Sequence, residues 1–169
     1  MLIYITGAPG VGKSTVHRTL LGRGYESYDV DDGFAHTYNL QTGKPVSINK
    51  LLHTRAWHEN NEWRMSLERV KQLAEQIKDR KAFLCGVARN DADVLGMFSH
   101  IVVLNVDEEI LRKRLSSRKV RFGTAQEEQE LAIEWRRAAQ GRYREHGAQV
   151  IDASRPVNEV VDDILKLTK

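Results

Sequence analysis

The sequence has little cysteine, little proline and no long hydrophobic segment. Its single cysteine, Cys85, lies in the apolar stretch "AFLCG", which excludes a disulfide framework and favours a buried free thiol. Three prolines in 169 residues argue against a long disordered linker. Apolar runs such as "IVVL" at 101–104 are far too short to span a bilayer, and no basic targeting region is present at the N-terminus. We therefore expect a single domain over residues 1–169, in the cytoplasm and without a membrane contact.

An excess of one charge sign is also nearly absent. Lysine and arginine together number 26 and the acidic residues 23, which leaves a formal net charge of +3. So small an excess does not by itself indicate a nucleic-acid surface, and an acidic small substrate such as a phosphate ester accounts for it equally well. We expect a small-molecule partner, with nucleic acid as a partner that is not favoured. The choice between monomer and homodimer stays open.

The sequence does contain a complete phosphate-binding motif. "GAPGVGKST" satisfies G-x-x-x-x-G-K-[ST] directly after the strand-like run "LIYIT" and before a helical stretch. Its glycines let backbone N–H groups turn towards phosphate oxygens, and a helix beginning near Lys13 adds its positive end. Lys13 is placed to reach the β- and γ-phosphates, and the Ser14 hydroxyl to bind Mg²⁺. The predicted nucleotide-binding residues are Gly7, Ala8, Pro9, Gly10, Val11, Gly12, Lys13, Ser14 and Thr15.

Short apolar runs alternate with helical stretches along the chain. This alternation predicts an α/β fold with a mostly parallel sheet and helices on both faces. The predicted strands are residues 2–6, 25–29, 82–86, 100–106 and 148–152. Two apolar stripes at helical spacing are expected to face the core. They consist of Leu67, Val70, Leu73, Ala74 and Ile77, and of Leu131, Trp135, Ala138 and Tyr143.

Three carboxylates follow the second predicted strand, in "YDVDDGF" at 28–34. Ligands of an open parallel sheet bind beyond the carboxyl ends of the strands, so these side chains are expected near the phosphate loop. One carboxylate can hold Mg²⁺, and another can accept the proton of an attacking hydroxyl. On an extended segment Asp29 and Asp31 point the same way, whereas Asp32 points elsewhere.

Basic residues cluster after the fourth predicted strand, in "LRKRLSSRKVRFG" at 111–123. The segment begins as a helix and ends in a loop that contains glycine. Mobile positive charge stabilises the phosphates during transfer, and a closing lid excludes water. Arginine suits this role because its fork binds phosphate oxygens in pairs. The segment therefore predicts a lid over residues 116–127, with a basic cluster of Arg114, Arg118, Lys119 and Arg121.

Taken in order, these motifs resemble those of the P-loop kinases of the nucleoside monophosphate kinase group, especially its shikimate kinase and gluconate kinase branch. "GAPGVGKST" is similar to the group's phosphate loop, and "YDVDDGF" to its D-x-D after the second strand. "DEEILRKRLSSRKVRFG" is similar to the lid-entry helix and arginine lid, and "VIDASRPVNEVVDDIL" to the last strand, adenine-side loop and final helix. The resemblance implies a three-layer P-loop fold with a five-stranded parallel sheet, a movable lid and ATP·Mg²⁺ as the donor.

The resemblance also implies roles for single residues. Asp29 would orient Mg²⁺ or its water, and Asp31 would meet the acceptor hydroxyl. The four arginines would serve the nucleotide: Arg114 and Arg155 near adenine, and Arg118 or Arg121 over the phosphates.

The acceptor side is expected between the second and third predicted strands, where about fifty residues replace a connection that could be far shorter. Residues 33–80 are interpreted as a helical acceptor-binding region that includes Trp57 and Trp63. Arg55 and Arg64 on this stretch could bind an anionic acceptor.

The end of the third strand departs from the family pattern. "FLCGVARND" at 83–91 has neither the glycine run of shikimate kinases nor the D-G-F-P-R stretch of adenylate kinases. Only Gly86 and Arg89 are left as equivalents, which argues against naming shikimate or AMP as the acceptor.

Other functions are weighed against a kinase. The acids in "IVVLNVDEE" imitate those of a motor or AAA-type ATPase, yet they fall where the next helix needs an acidic start. "NVDE" does not supply the guanine signature N-K-x-D of a small GTPase. A sensor that binds ATP without turnover also remains an alternative. We expect an ATP-dependent kinase of a small metabolite, with nucleosides or nucleotides first and a polynucleotide 5′-hydroxyl as runner-up.

Overall fold

A computed structural model of the chain describes residues 1–47, 54–118 and 122–169. Seven strands and six α-helices are found in these ranges, together with short 3₁₀ turns at 91–93 and 95–97. In chain order the elements are β1 (Leu2–Thr6), α1 (Lys13–Gly22), β2 (Glu26–Asp29), β3 (Ala35–Asn39), α2 (Arg55–Asn60), β4 (Asn61–Met65), α3 (Leu67–Ile77), β5 (Ala82–Cys85), β6 (His100–Asn105), α4 (Glu108–Ser116), α5 (Gln126–Arg144), β7 (Gln149–Asp152) and α6 (Val157–Leu167).

The central sheet has five parallel strands in the order β2-β5-β1-β6-β7. Strand β1 lies in the middle, with Ile5 opposite Cys85 on one side and Val102 on the other. All five apolar runs predicted as strands are strands of this sheet, so the predicted fold class is confirmed. Since the strands are parallel, the segments that follow β1, β2 and β5 emerge at the same edge.

Each face of the sheet is covered by its own core, because side chains alternate along the strands. From β1, Ile3 and Ile5 enter one core, which also contains apolar residues of α1, α4 and α6. Leu2 and Tyr4 enter the other core, with residues of α3 and α5. The two predicted stripes are right for most members and wrong for three, one of which, Trp135, is half-buried and outside both cores. Leu67 is 43% exposed at the start of α3, and Ala138 is exposed on α5.

A two-stranded antiparallel sheet of β3 and β4 stands apart from the main sheet. The Asn90 side chain anchors it to the segment after β5, because its amide donates to Met65 O at 3.0 Å and its oxygen accepts from Met65 N at 2.7 Å. The prediction of helix throughout 33–80 is therefore wrong here: Trp63 lies in β4. The prediction holds for α2 and α3, and residues 48–53 lie outside the described ranges.

The scarce cysteine and the short apolar runs can be compared directly with the structure. Cys85 is buried and free, as expected, and its Sγ lies 3.7 Å from Ser27 Oγ. Burial raises the pKa of the Cys85 thiol to about 12, so the thiolate needed for reactivity is disfavoured. No helix in the described ranges is both long enough and apolar enough to cross a membrane.

Gly86, at the end of β5, gives the first testable prediction. A Cβ added there would lie 2.2 Å from Val30 Cβ, a contact that cannot be relieved by a side-chain rotation. We expect Gly86→Ala to lower the free energy of unfolding by about 1–3 kcal/mol, the usual cost of overpacking a core. Urea unfolding measures this change. Gly96→Ala is the matched control, since a Cβ there meets nothing within 4 Å. Equal stability of the two variants would contradict the close approach.

Candidate active site

The loop between β1 and α1 is held in a shape that only glycine adopts easily. Gly7 has φ +139°, and a Cβ on it would lie 2.4 Å from Leu104 O in β6. Gly12, the N-cap of α1, has φ +115° in the left-handed region. The cradle that the motif predicts is therefore formed by the backbone, at the carboxyl end of the central strand.

Lys13 folds back over this loop. Its Nζ donates to Gly7 O at 2.7 Å and to Ala8 O at 3.0 Å. The pKa of Lys13 is lowered to about 8, mainly by burial. The negative charges of Asp31 and Asp29 act to raise this pKa, and the positive charge of Arg118 acts to lower it. Lysine, both predicted carboxylates and the lid arginine are thus close enough to act on one another electrostatically. Ser14 follows Lys13 on the first turn of α1 and is half-buried. Thr15 is exposed.

The lowered pKa of Lys13 predicts a pH dependence of ATP binding. The ammonium is charged below about pH 8 and neutral above it, so affinity for a triphosphate should fall as pH rises through that value. Between about pH 7.5 and 9.5 the dissociation constant should increase by roughly tenfold per unit at the upper end. Titration of Mg²⁺·ATP at several pH values measures this. Lys13→Arg should lack the slope, because arginine stays charged; a flat profile for the unmodified protein would contradict the prediction.

The carboxylates after β2 lie on a turn rather than on an extended segment. Asp29 Oδ1 accepts from Asp31 N at 3.1 Å, and Asp29 O accepts from Asp32 N at 3.0 Å. The expectation that alternation along a strand aligns Asp29 with Asp31 is therefore wrong. The turn brings them together instead, with the buried Val30 between them bonded to Cys85 O at 2.9 Å.

Arg114 connects three parts of the nucleotide side. From α4, its Nη1 donates to Val11 O of the phosphate loop and its Nη2 to Ala153 O after β7, both at 2.9 Å. The guanidinium therefore lies between the phosphate loop and the loop predicted to hold adenine. Arg155 is placed differently: it is exposed and pairs with Asp163 of α6 at 2.6 Å.

The segment predicted as a lid, 116–127, has hydrogen bonds on both sides of its undescribed residues. Arg118 is half-buried, and its Nη1 donates to Phe122 O at 2.8 Å. The Glu128 carboxylate accepts from Gly123 N at 2.8 Å and from Ala125 N at 3.4 Å, which fixes the start of α5. The predicted lid residues Lys119 and Arg121 lie outside the described ranges.

A cavity of about 320 Å³ lies between α2, the segment after β5 and α5. It brings together two of the five predicted acceptor-binding residues, Arg55 and Arg89. Asp31 lies on the turn that follows β2. The others are elsewhere: Arg64 lies 3.6 Å from Glu62 on β4, and Gly86 packs against Val30. The lining residues are Arg55, His58, Glu59, Arg89, Leu131, Glu134 and Trp135.

Sequence reasoning missed most of this lining. Trp135 is predicted to belong to a core stripe, but it is only half-buried and stacks on Phe122 with ring centroids 5.3 Å apart. His58 meets Trp135 edge to face at 5.1 Å. The sequence offers one signal for this site, which is that Trp135 and His58 stand among polar residues of their helices. Only the fold shows that the two rings meet.

A buried polar network fixes α5 against the sheet. Tyr143 OH donates to Asp91 Oδ2 and lies 3.2 Å from Thr6 Oγ1, one residue before the phosphate loop. Arg142 Nη1 is 3.5 Å from the other Asp91 oxygen. Burial raises the pKa of both Asp91 and Tyr143. The helix that follows the lid is thus tied to the end of β1 and to the segment after β5.

Comparison with known families places these features in context. A family model described as an AAA domain matches residues 3–134. Among curated proteins, no sequence matches the chain.

Several solved structures share the fold over nearly the whole chain. Shikimate kinase from Aquifex aeolicus vf5 is 22% identical with a TM-score of 0.57, covering 99% of this chain and 96% of that one. Shikimate kinase from Acinetobacter baumannii, in complex with shikimate, is 19% identical with a TM-score of 0.63, covering 99% and 92%. A gluconokinase from Sinorhizobium meliloti 1021 is 16% identical with a TM-score of 0.52, covering 95% and 86%. The predicted resemblance to this branch of P-loop kinases is confirmed as a likeness of fold.

Proposed function

Since the chain belongs to the AAA domain family and carries a formed phosphate loop, we propose that it is an ATP-dependent kinase of a small-molecule acceptor, with nucleosides and nucleotides as first candidates. One observation carries the proposal: Lys13 lies over the phosphate loop, bonded to Gly7 O and Ala8 O, and the charges of Asp31, Arg118 and Asp29 are near enough to shift its pKa. Phosphoryl transfer needs a proton acceptor, a metal-side carboxylate and positive charge around one phosphate, and this cluster supplies them.

The residues present fit ATP and Mg²⁺. Gly7, Gly10 and Gly12 all have positive φ, the conformation that lets backbone N–H groups turn towards phosphate oxygens. Mg²⁺ is usually held by one or two protein groups together with substrate phosphates, and Ser14 and Asp29 would serve here. The described ranges contain no cluster of three or more His, Cys, Asp or Glu side chains suited to a metal. When bound, ATP·Mg²⁺ supplies the phosphoryl group that is transferred.

The chain's own residues then have distinct roles. Asp31 accepts the proton of the acceptor hydroxyl while the acceptor oxygen bonds to the γ-phosphorus and the bond to the leaving ADP oxygen breaks. Lys13 and Arg118 stabilise the charge that spreads over the phosphate oxygens. Arg114 holds the phosphate loop against the loop after β7. Arg121 belongs to the proposed lid as an additional charge.

Hydrolysis of ATP is the second candidate, because the family description is that of an AAA domain. In a motor-type ATPase the acids after β6 would face the phosphates. Here Glu108 bonds to Arg112 and Arg137 at 3.0 and 2.8 Å, and these arginines lower the pKa of its carboxyl. This acid is therefore occupied at the base of α4, which favours transfer over hydrolysis.

A labelling experiment tests the proposal. The protein is incubated with γ-labelled ATP·Mg²⁺ and a panel of nucleosides, nucleotides, sugars, sugar acids and 5′-hydroxyl oligonucleotides. We expect label in one acceptor class, with hydrolysis slower than transfer. Label that reaches only water, at a rate that no acceptor changes, would reject the kinase and leave the ATPase. Label on the oligonucleotide alone would identify the polynucleotide alternative.

A further inference from the structure

The cavity beside α5 is connected to the phosphate site by two contacts. Trp135 lines the cavity and stacks on Phe122 at 5.3 Å with an interplanar angle of 16°. Phe122 O in turn accepts from Arg118, whose charge acts on Lys13. The cavity is therefore linked through Trp135 and Phe122 to Arg118, to which the proposed function gives a role at the phosphates. Its volume of about 320 Å³ suits one small molecule.

The wall of the cavity is aromatic. His58 and Trp135 both line it, and their rings meet edge to face at 5.1 Å. Trp57 and Phe122 support this pair from the sides, with centroids 5.0 and 5.5 Å from the His58 ring. Rigid, half-buried rings of this kind bind flat ligands by stacking, as in proteins that hold nucleobases.

The charges of the cavity are already balanced by the chain. Arg55 donates from Nη2 and Nη1 to the two oxygens of Glu134, at 2.7 and 3.1 Å. This is the paired geometry that a ligand carboxylate would use, so Glu134 occupies the anion position of Arg55. Arg89 and Glu59 also line the cavity and add one charge of each sign. Arg89 has no ion pair among the described residues, so its N–H groups remain available to the polar edge of a ring.

We infer that the acceptor is a nucleoside without a phosphate group, whose base lies against Trp135 while its hydroxyl reaches Asp31. The inference rests on the proposed kinase function and deepens it. An aromatic wall favours a base over a sugar acid, and the Arg55–Glu134 pair disfavours a carboxylate or phosphate on the acceptor. The site would recognise the acceptor by shape and stacking, and Glu134 would compete with an anionic acceptor for Arg55.

The test measures KM and kcat separately for ribonucleosides, their 5′-monophosphates, shikimate and gluconate. Among these we expect the lowest KM for a nucleoside. Trp135→Leu should raise the nucleoside KM about ten- to hundredfold with a smaller change in kcat, and Trp135→Phe should retain most of the affinity. Glu134→Gln should narrow the preference for nucleosides over anionic acceptors, because it releases Arg55. Glu130→Gln is the matched control. Glu130 lies on α5 like Glu134, but outside the cavity, where it pairs with Arg112 of α4.

The outcomes separate this inference from the function on which it rests. A sugar acid or a nucleotide as the best acceptor, with a KM insensitive to Trp135→Leu, overturns the inference and leaves the kinase standing. Label that reaches only water overturns both. If Trp135→Leu does not fold, the comparison of Glu134→Gln with Glu130→Gln replaces it, since Glu134 is exposed. An acceptor preference that is identical in these two variants overturns the inference.

Discussion

Replacement of Lys13 by alanine is expected to reduce phosphoryl transfer by about 10²- to 10³-fold, the usual cost of removing one preorganised electrostatic donor. Lys13 is held over the loop by Gly7 O and Ala8 O, and burial leaves its charge poorly solvated until a phosphate arrives. A charge held in this way interacts strongly with the developing charge on the γ-phosphate. The loss should appear in kcat as well as in ATP affinity.

Single-turnover transfer and an ATP titration separate these two effects. Lys71→Ala is the control, since Lys71 is exposed on α3, away from the phosphate loop. Thermal unfolding should show that Lys13→Ala still folds, because the lysine side chain bonds only to two carbonyls of the phosphate loop. Transfer within threefold of the unmodified protein would contradict the role given to Lys13.

Replacement of Asp31 by asparagine is expected to reduce transfer by about 10²- to 10⁴-fold while ATP binding is largely kept. The amide preserves the size of the side chain but cannot take a proton from the acceptor hydroxyl. Removal of this negative charge also lowers the pKa of Lys13, since Asp31 normally raises it. The comparison should therefore be made at several pH values below the pKa of about 8, so that a loss of Lys13 charge in the variant can be told from the loss of the base.

Asp32→Asn is the matched control for this experiment. Asp32 is exposed on the same turn, and its backbone N donates to Asp29 O. Its replacement should leave transfer nearly unchanged. Full activity of Asp31→Asn would remove Asp31 as the base and direct attention to Asp29, which shares the turn.

The parts of the fold that local sequence determines were predictable. The phosphate loop is a contiguous motif, and each strand of the main sheet is a contiguous apolar run. The β3–β4 pair was not predictable in this way, since its strands are polar, short and far apart in sequence. The turn at Asp29 depends on a side-chain hydrogen bond that competes with strand geometry.

The candidate site divides along the same line. The residues of the nucleotide side follow recognisable motifs, and the structure brings Lys13, Asp29, Asp31 and Arg118 together. The proposed acceptor cavity is lined by residues from three separate segments, and whether Arg55 meets Glu134 depends on how α2 packs against α5. Nothing in the spacing of those residues indicates the pairing. Their catalytic and binding roles remain predictions for the experiments above.

The anchoring of the β3–β4 sheet has a consequence for how such a protein changes over evolution. This small sheet shares no strand with the main sheet and is fastened to it through the Asn90 side chain and the bond from Arg89 N to Trp63 O. Under the proposed function, an insertion or exchange within it would alter the acceptor side while the phosphate loop keeps its geometry. Transplanting this segment between chains of the same fold would then change the acceptor preference, with Asn90 as the residue to preserve.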